Sequence, residues 1–116
     1  ARIPHVWVFD HAGQQHSTLD ITGQGTFTLI TGIGGETWVK AALAYGKSMG
    51  IKIYTRVIGP RRDLEDHTGE WARAREIADS GCLLVRPDQH VAFRAMKISA
   101  SAEKDLTAAF NTILGH

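Results

Sequence analysis

The chain has few side chains that do chemistry unaided. Cys82 is its single cysteine. It sits in Cys82-Leu83-Leu84-Val85, an apolar run that reads as a central strand, where a thiol behaves as a small core residue. His5, His11 and His16 gather near Asp10, the residue types of a metal site, but their spacing matches no zinc motif and the turn reads as polar surface. His16, Ser17 and Asp20 hold the three residue types of a hydrolytic triad. Neighbours in one strand point to opposite faces, so sequence adjacency does not make them converge. Gly32-Ile33-Gly34-Gly35 suggests a phosphate loop, yet the sixth position is Thr37 and no P-loop lysine follows. Glu36, at the positive end of the expected helix, would repel an anion. Arg86, Asp88, His90 and Arg94 surround a second turn. Trp7 and Phe93 are the aromatic candidates for exposed anchors on a partner surface. These six form the candidate docking surface; no catalytic, cofactor-binding or metal residue is assigned.

The stretch that must position any chemistry is Thr26–Trp38. A β-branched and aromatic run, Phe27–Thr31, stops at a glycine corner, and a helical pattern follows with Trp38, Ala42, Tyr45 and Met49 on one face. Gly50 suits its end. The carboxyl end of such a strand is where α/β proteins usually place chemistry. Here that corner carries no cysteine, lysine, histidine or arginine. A glycine corner that lets strand and helix pack closely explains it better.

Around it, Val6–Phe9 reads as a strand, Asp10–Gln15 as a turn, Ser17–Ile21 as extended, and Thr22–Gly25 as a second turn, together a β-hairpin arm over residues 1–25. Ile51–Ile58 is a second core strand, followed by polar loop through His67. Trp71, Ala74, Ile77 and Ala78 give a short helical face. Arg86-Pro87-Asp88-Gln89 predicts a type I turn joining Cys82–Val85 to a returning strand, His90–Arg94. Ala102, Leu106, Ala109, Phe110 and Ile113 mark the buried stripe of a last helix. The right-handed crossover rule makes Phe27–Thr31 and Ile51–Ile58 parallel neighbours. The expected fold is α/β and thioredoxin-like: a mixed central sheet with helices on both faces, preceded by the hairpin.

Length and charge narrow the function classes. The 116 residues suit one domain, 43% hydrophobic and 22% charged. A net charge of +1 gives no basic stripe for nucleic acid, and no apolar run spans a membrane. One cysteine fits a reducing cytoplasm.

Pro4-His5-Val6-Trp7, Ser17–Gly25, Phe27–Gly32 and above all Cys82–Arg94 resemble the C-terminal domain of FAD-dependent aromatic-ring hydroxylases, in the phenol and chlorophenol branch. The resemblance runs along essentially the whole chain. It implies that the chain is a C-terminal piece of a longer monooxygenase, which uses FAD and NADH or NADPH to hydroxylate a phenol. It implies partners in the FAD-binding and substrate domains of the same parent chain, and subunit contacts in some members. The piece itself would bind no cofactor and catalyse nothing. The alternative is a stand-alone, redox-inactive thioredoxin-like module for protein interaction.

Overall fold

A computed structural model describes residues 3–22, 25–67, 69–75 and 77–115. Strands β1 (Trp7–Phe9) and β2 (Gln15–Ser17) form an antiparallel hairpin, pairing Trp7 with Ser17 and Phe9 with Gln15. Helix α1 (Thr18–Thr22) follows at once. Then come β3 (Phe27–Thr31), α2 (Glu36–Met49), β4 (Ile53–Val57), α3 (Glu70–Ala74), β5 (Cys82–Val85), β6 (Val91–Ala95) and α4 (Ala102–Leu114). The central sheet has the order β4-β3-β5-β6. β3 and β4 are parallel, from Phe27 opposite Ile53 to Thr31 opposite Val57, as the crossover rule requires. β5 runs antiparallel to both β3 and β6.

The expected extended stretch Ser17–Ile21 is corrected: the strand ends at Ser17 and a helix begins at Thr18. The cause is a capping box. The Ser17 hydroxyl accepts the Leu19 amide at 3.1 Å, while Asp20 accepts the Ser17 amide at 3.4 Å. The turn expected at Thr22–Gly25 has Gly23 and Gln24 outside the described residues. The third helical face also stops sooner than its pattern. α3 ends at Ala74, and Ile77 reaches the core from the loop beyond. Asp66 starts α3 by accepting the Trp71 and Ala72 amides at 3.2 and 3.0 Å.

Alternation along β3 and β5 divides the interior in two. Leu29 and Leu84 face α2 and α4, joining Trp38, Ala42, Tyr45, Leu106 and Phe110. Ile30, Leu83 and Val85 face the other way, under Val6 and Val8 of the arm, Ile21 of α1, and Trp71. The arm therefore closes one face of the sheet. Thr18 fastens it: its hydroxyl donates to the Pro4 carbonyl at 2.6 Å and accepts the Val6 amide at 3.1 Å. Between the long helices, the Tyr45 ring stacks on Phe110 at 4.5 Å and its hydroxyl donates to Asn111 at 2.9 Å. Gly50 ends α2 at φ 70°, where its amide bonds the Gly46 carbonyl.

Candidate functional site

β3 delivers Thr31 to the corner, and Gly35 caps α2 there, its amide bonding the Gly32 carbonyl at 3.1 Å. The space over the glycines is already filled. A β-carbon on Gly32 would lie 2.6 Å from the Asp79 carbonyl oxygen, one on Gly34 3.1 Å from the Ser80 Cβ, and one on Gly35 1.7 Å from the Thr31 hydroxyl. The opposing Asp79–Gly81 loop is pinned in place. Trp38 donates its indole N–H to the Ser80 carbonyl at 2.9 Å, and the Ser80 hydroxyl accepts the Ile98 amide at 3.0 Å. Thr31 donates to the Gly81 carbonyl at 2.5 Å. Glu36 stands at the helix start, 3.9 Å from Arg62. The glycines turn their missing side chains toward protein rather than toward a ligand, and Glu36 at the helix start repels an anion, so the corner lacks the features of a dinucleotide loop.

Sheet register does bring sulfur close to this corner, because Cys82 pairs with Thr31. Its side chain, however, is fully buried in the core under α2 and α4. Burial pushes the thiol up to about 12, despite a hydrogen bond with the Ala95 backbone that favours the thiolate. At neutral pH it is a thiol without access to solvent, unsuited to nucleophilic attack.

The arm histidines do not converge. His16 Nε2 meets Asp10 Oδ2 at 2.7 Å. His5 instead lies by Trp7, with ring centroids 5.6 Å apart, and His11 is exposed. Among the described residues no group of three or more His, Cys, Asp or Glu is placed to hold a metal. Ser17 and Asp20 are occupied with capping α1, so His16 faces Asp10 rather than a hydroxyl. The hydrogen bond from His16 holds the Asp10 carboxyl below its ordinary value, with the Gln14 and Ala12 amides acting in the same direction.

The docking candidates do not share one face. Trp7 lies on the arm, 42% exposed. Phe93 packs on the other face of the sheet beside Trp38, at 6.0 Å between rings. Arg86, Asp88 and His90 stay together. Asp88 pairs with the Arg86 guanidinium, accepts the His90 amide at 3.2 Å, and lies 3.4 Å from His90 Nδ1. Loss of solvent works to raise the Asp88 carboxyl, but the His90 amide and the Arg86 charge outweigh it and bring it below its ordinary value. Arg94 is exposed on β6.

One residue of this turn was not singled out by sequence. Gln89 has φ 70°, the left-handed region, although it is not glycine. The expected turn forms, with the Gln89 amide bonding the Arg86 carbonyl at 2.9 Å and the Arg86 amide bonding the His90 carbonyl at 2.9 Å. That is a type I turn followed by a left-handed residue, the usual three-residue hairpin loop. Gln89 also ties the turn to the arm. Its side-chain amide donates to the Leu19 carbonyl at 2.7 Å, and its own carbonyl accepts the Ile3 amide at 3.1 Å. No local pattern signals these long-range bonds.

The family described as "Aromatic-ring hydroxylase, C-terminal" matches residues 1–116. The chain is 49% identical over 116 residues to 2,4-dichlorophenol 6-monooxygenase of Cupriavidus pinatubonensis, covering 99% of this chain and 19% of that protein. It therefore spans about a fifth of the length of that relative. Superposed on the flavin-dependent monooxygenase PieE, solved with FAD and substrate, it gives a TM-score of 0.89 at 41% identity, covering 99% of this chain and 19% of the other. A thioredoxin-like protein from Porphyromonas gingivalis shares the fold, with a TM-score of 0.72 at 12% identity over 97% of this chain and 92% of its own.

Proposed function

This chain belongs to the family of aromatic-ring hydroxylase C-terminal domains, and on that footing we propose that it is a non-catalytic accessory domain of an FAD- and NAD(P)H-dependent monooxygenase that hydroxylates phenolic rings. Its duty is packing and assembly. It docks on the FAD-binding and substrate domains of its own parent chain through Arg86, Asp88, His90 and Arg94 of the hairpin and Trp7 of the arm, while Phe93 stays packed beside Trp38, and it works in the cytoplasm. Among the described residues no helix is long and apolar enough to cross a membrane. FAD supplies the oxygen chemistry of the parent, and among the described residues the glycine corner is built for packing rather than to seat it.

The observation that carries the reading is the filled corner. Where a thioredoxin-like fold would carry a reactive sulfur, Gly32, Gly34 and Gly35 abut Asp79, Ser80 and Thr31, and the nearby Cys82 is buried. A domain that keeps this architecture and fills its reactive end serves by shape. The test is direct. The purified 116-residue chain is expected to be colourless and to consume no NADPH, whereas deleting it from the parent lowers the parent's melting temperature. Flavin absorbance co-eluting with the isolated chain would overturn the reading.

A further inference from the structure

We propose that the cleft between α1 and β4 binds a singly charged organic anion with an apolar body, and that Arg56 is its anchor; this goes beyond the accessory role and does not depend on it. The cleft holds about 460 Å3, a volume suited to a small molecule. His16 of β2 and Asp20 and Ile21 of α1 line one side, and Tyr54 and Arg56 of β4 line the other. Leu64 completes the lining. Ile21 and Leu64 are buried and supply its apolar part.

Arg56 stands where the sheet pattern asks for a hydrophobe. Ile53 faces α2 and α4, so alternation turns Tyr54 and Arg56 toward the side of the arm. In the parallel pairing Arg56 lies opposite Ile30, which is fully buried on that face. Arg56 is half-buried, yet among the described residues no carboxylate pairs with it. Its Nη1 donates to the Thr55 carbonyl at 3.0 Å, and its guanidinium lies 5.3 Å from the centre of the Tyr54 ring. Lys52 Nζ lies 4.9 Å from the same ring. Two cations thus share one aromatic ring beside the cleft. A partly desolvated guanidinium favours an anion that can accept two of its N–H groups at once.

The rest of the lining selects the kind of anion. Asp20 is the one carboxylate in it. It is exposed and accepts the Ser17 amide at 3.4 Å, so solvent and salt weaken its field without removing it. A phosphate dianion meets that repulsion twice over, a carboxylate only once. Ile21, Leu64 and the Tyr54 ring then offer surface to an apolar body joined to the carboxylate. β4 is an outer strand, and a charge on such a strand also discourages edge-to-edge pairing. That duty alone needs neither a cleft nor a shared ring.

The experiment uses the full parent enzyme, with benzoate as the probe. Modification of arginine by phenylglyoxal is followed by peptide mass at Arg56 and, for reference, at exposed Arg61. At benzoate about tenfold above half-protection, Arg56 is expected to react about tenfold more slowly, as mass action requires of an occupied site, while Arg61 is unchanged. Neutral benzamide is expected to protect nothing. Arg56→Gln, checked for folding by flavin content, is expected to lose this benzoate site in equilibrium dialysis. An Arg56 rate untouched by benzoate overturns the inference and leaves the residue as a guard of the outer strand. Undiminished benzoate binding by the variant overturns it too, and phosphate protecting as well as benzoate overturns the choice of an organic anion. An Arg56 that resists phenylglyoxal without benzoate would show that the parent's own chain fills the cleft, which also overturns it.

Discussion

Cys82 illustrates how location overrides residue type. A thiol raised to about 12 by burial is almost wholly protonated at pH 8, and its fully buried side chain offers no approach to a reagent. Native Cys82 is expected to resist iodoacetamide for hours and to react promptly once the chain is unfolded; rapid labelling of the folded protein at neutral pH would restore thiol chemistry as a candidate. Gly35 makes the complementary point. Its β-carbon would stand 1.7 Å from the Thr31 hydroxyl, which is itself committed to the Gly81 carbonyl. Gly35→Ala is expected to cost about 1–3 kcal/mol, measured by chemical denaturation, as overpacked cores generally do. The glycines at this corner were legible in sequence as packing residues. The loop that fills the space above them was not, because Asp79 and Ser80 lie more than forty positions further along the chain.

At the level of elements, the arm differs most from its reading. Thr18, Ile21 and Thr22 are β-branched and suggested a strand, yet the backbone obeys the capping box instead. The Ser17-x-x-Asp20 signal was present in the sequence and outweighed by propensity. Ser17→Ala is expected to destabilise the domain by about 0.5–2 kcal/mol through loss of this cap, read by thermal melting against Asp20→Asn. The hairpin turn has its own pH response. The Asp10 carboxyl lies below its ordinary 3.8 in the folded arm, chiefly through His16. Its contribution is present above 3.8 and disappears as the pH falls through the lower folded value. The Ala12 and Gln14 amide resonances, both bonded to Asp10 at 2.9 Å, are therefore expected to move only below pH 3.8. Movement already complete well above that pH would overturn the assignment of the turn's response to Asp10. Long, strongly periodic elements were easier to read. α2 runs from Glu36, two residues before the first apolar position of its pattern, and buries Trp38, Ala42 and Tyr45, while Met49 in the last turn emerges 41% exposed.

For the molecule as a whole, one sheet separates two cores of unlike construction. Two long helices cover one side, and the arm with the short helices covers the other. Sequence periodicity revealed the first, because helical phase marks a buried face directly. The second depends on Val6, Val8, Ile21, Trp71 and Ile77 converging from separate segments, which no window of sequence displays. The arm is consequently part of the domain. Deleting residues 3–22 uncovers Ile30, Leu83 and Val85, and the truncated chain is expected to bind a hydrophobic dye and melt without a cooperative transition; a sharp, cooperative melt would show the arm to be dispensable. The pinned Ser80 loop carries a longer consequence. An engineer who wished to install a dithiol on this scaffold would find the vacancy already let: Trp38, Thr31 and Ile98 all hold the tenant in place. Writing two cysteines into the corner would unseat the fold before it created a reagent, so the way back to redox work runs through rebuilding the opposite loop first.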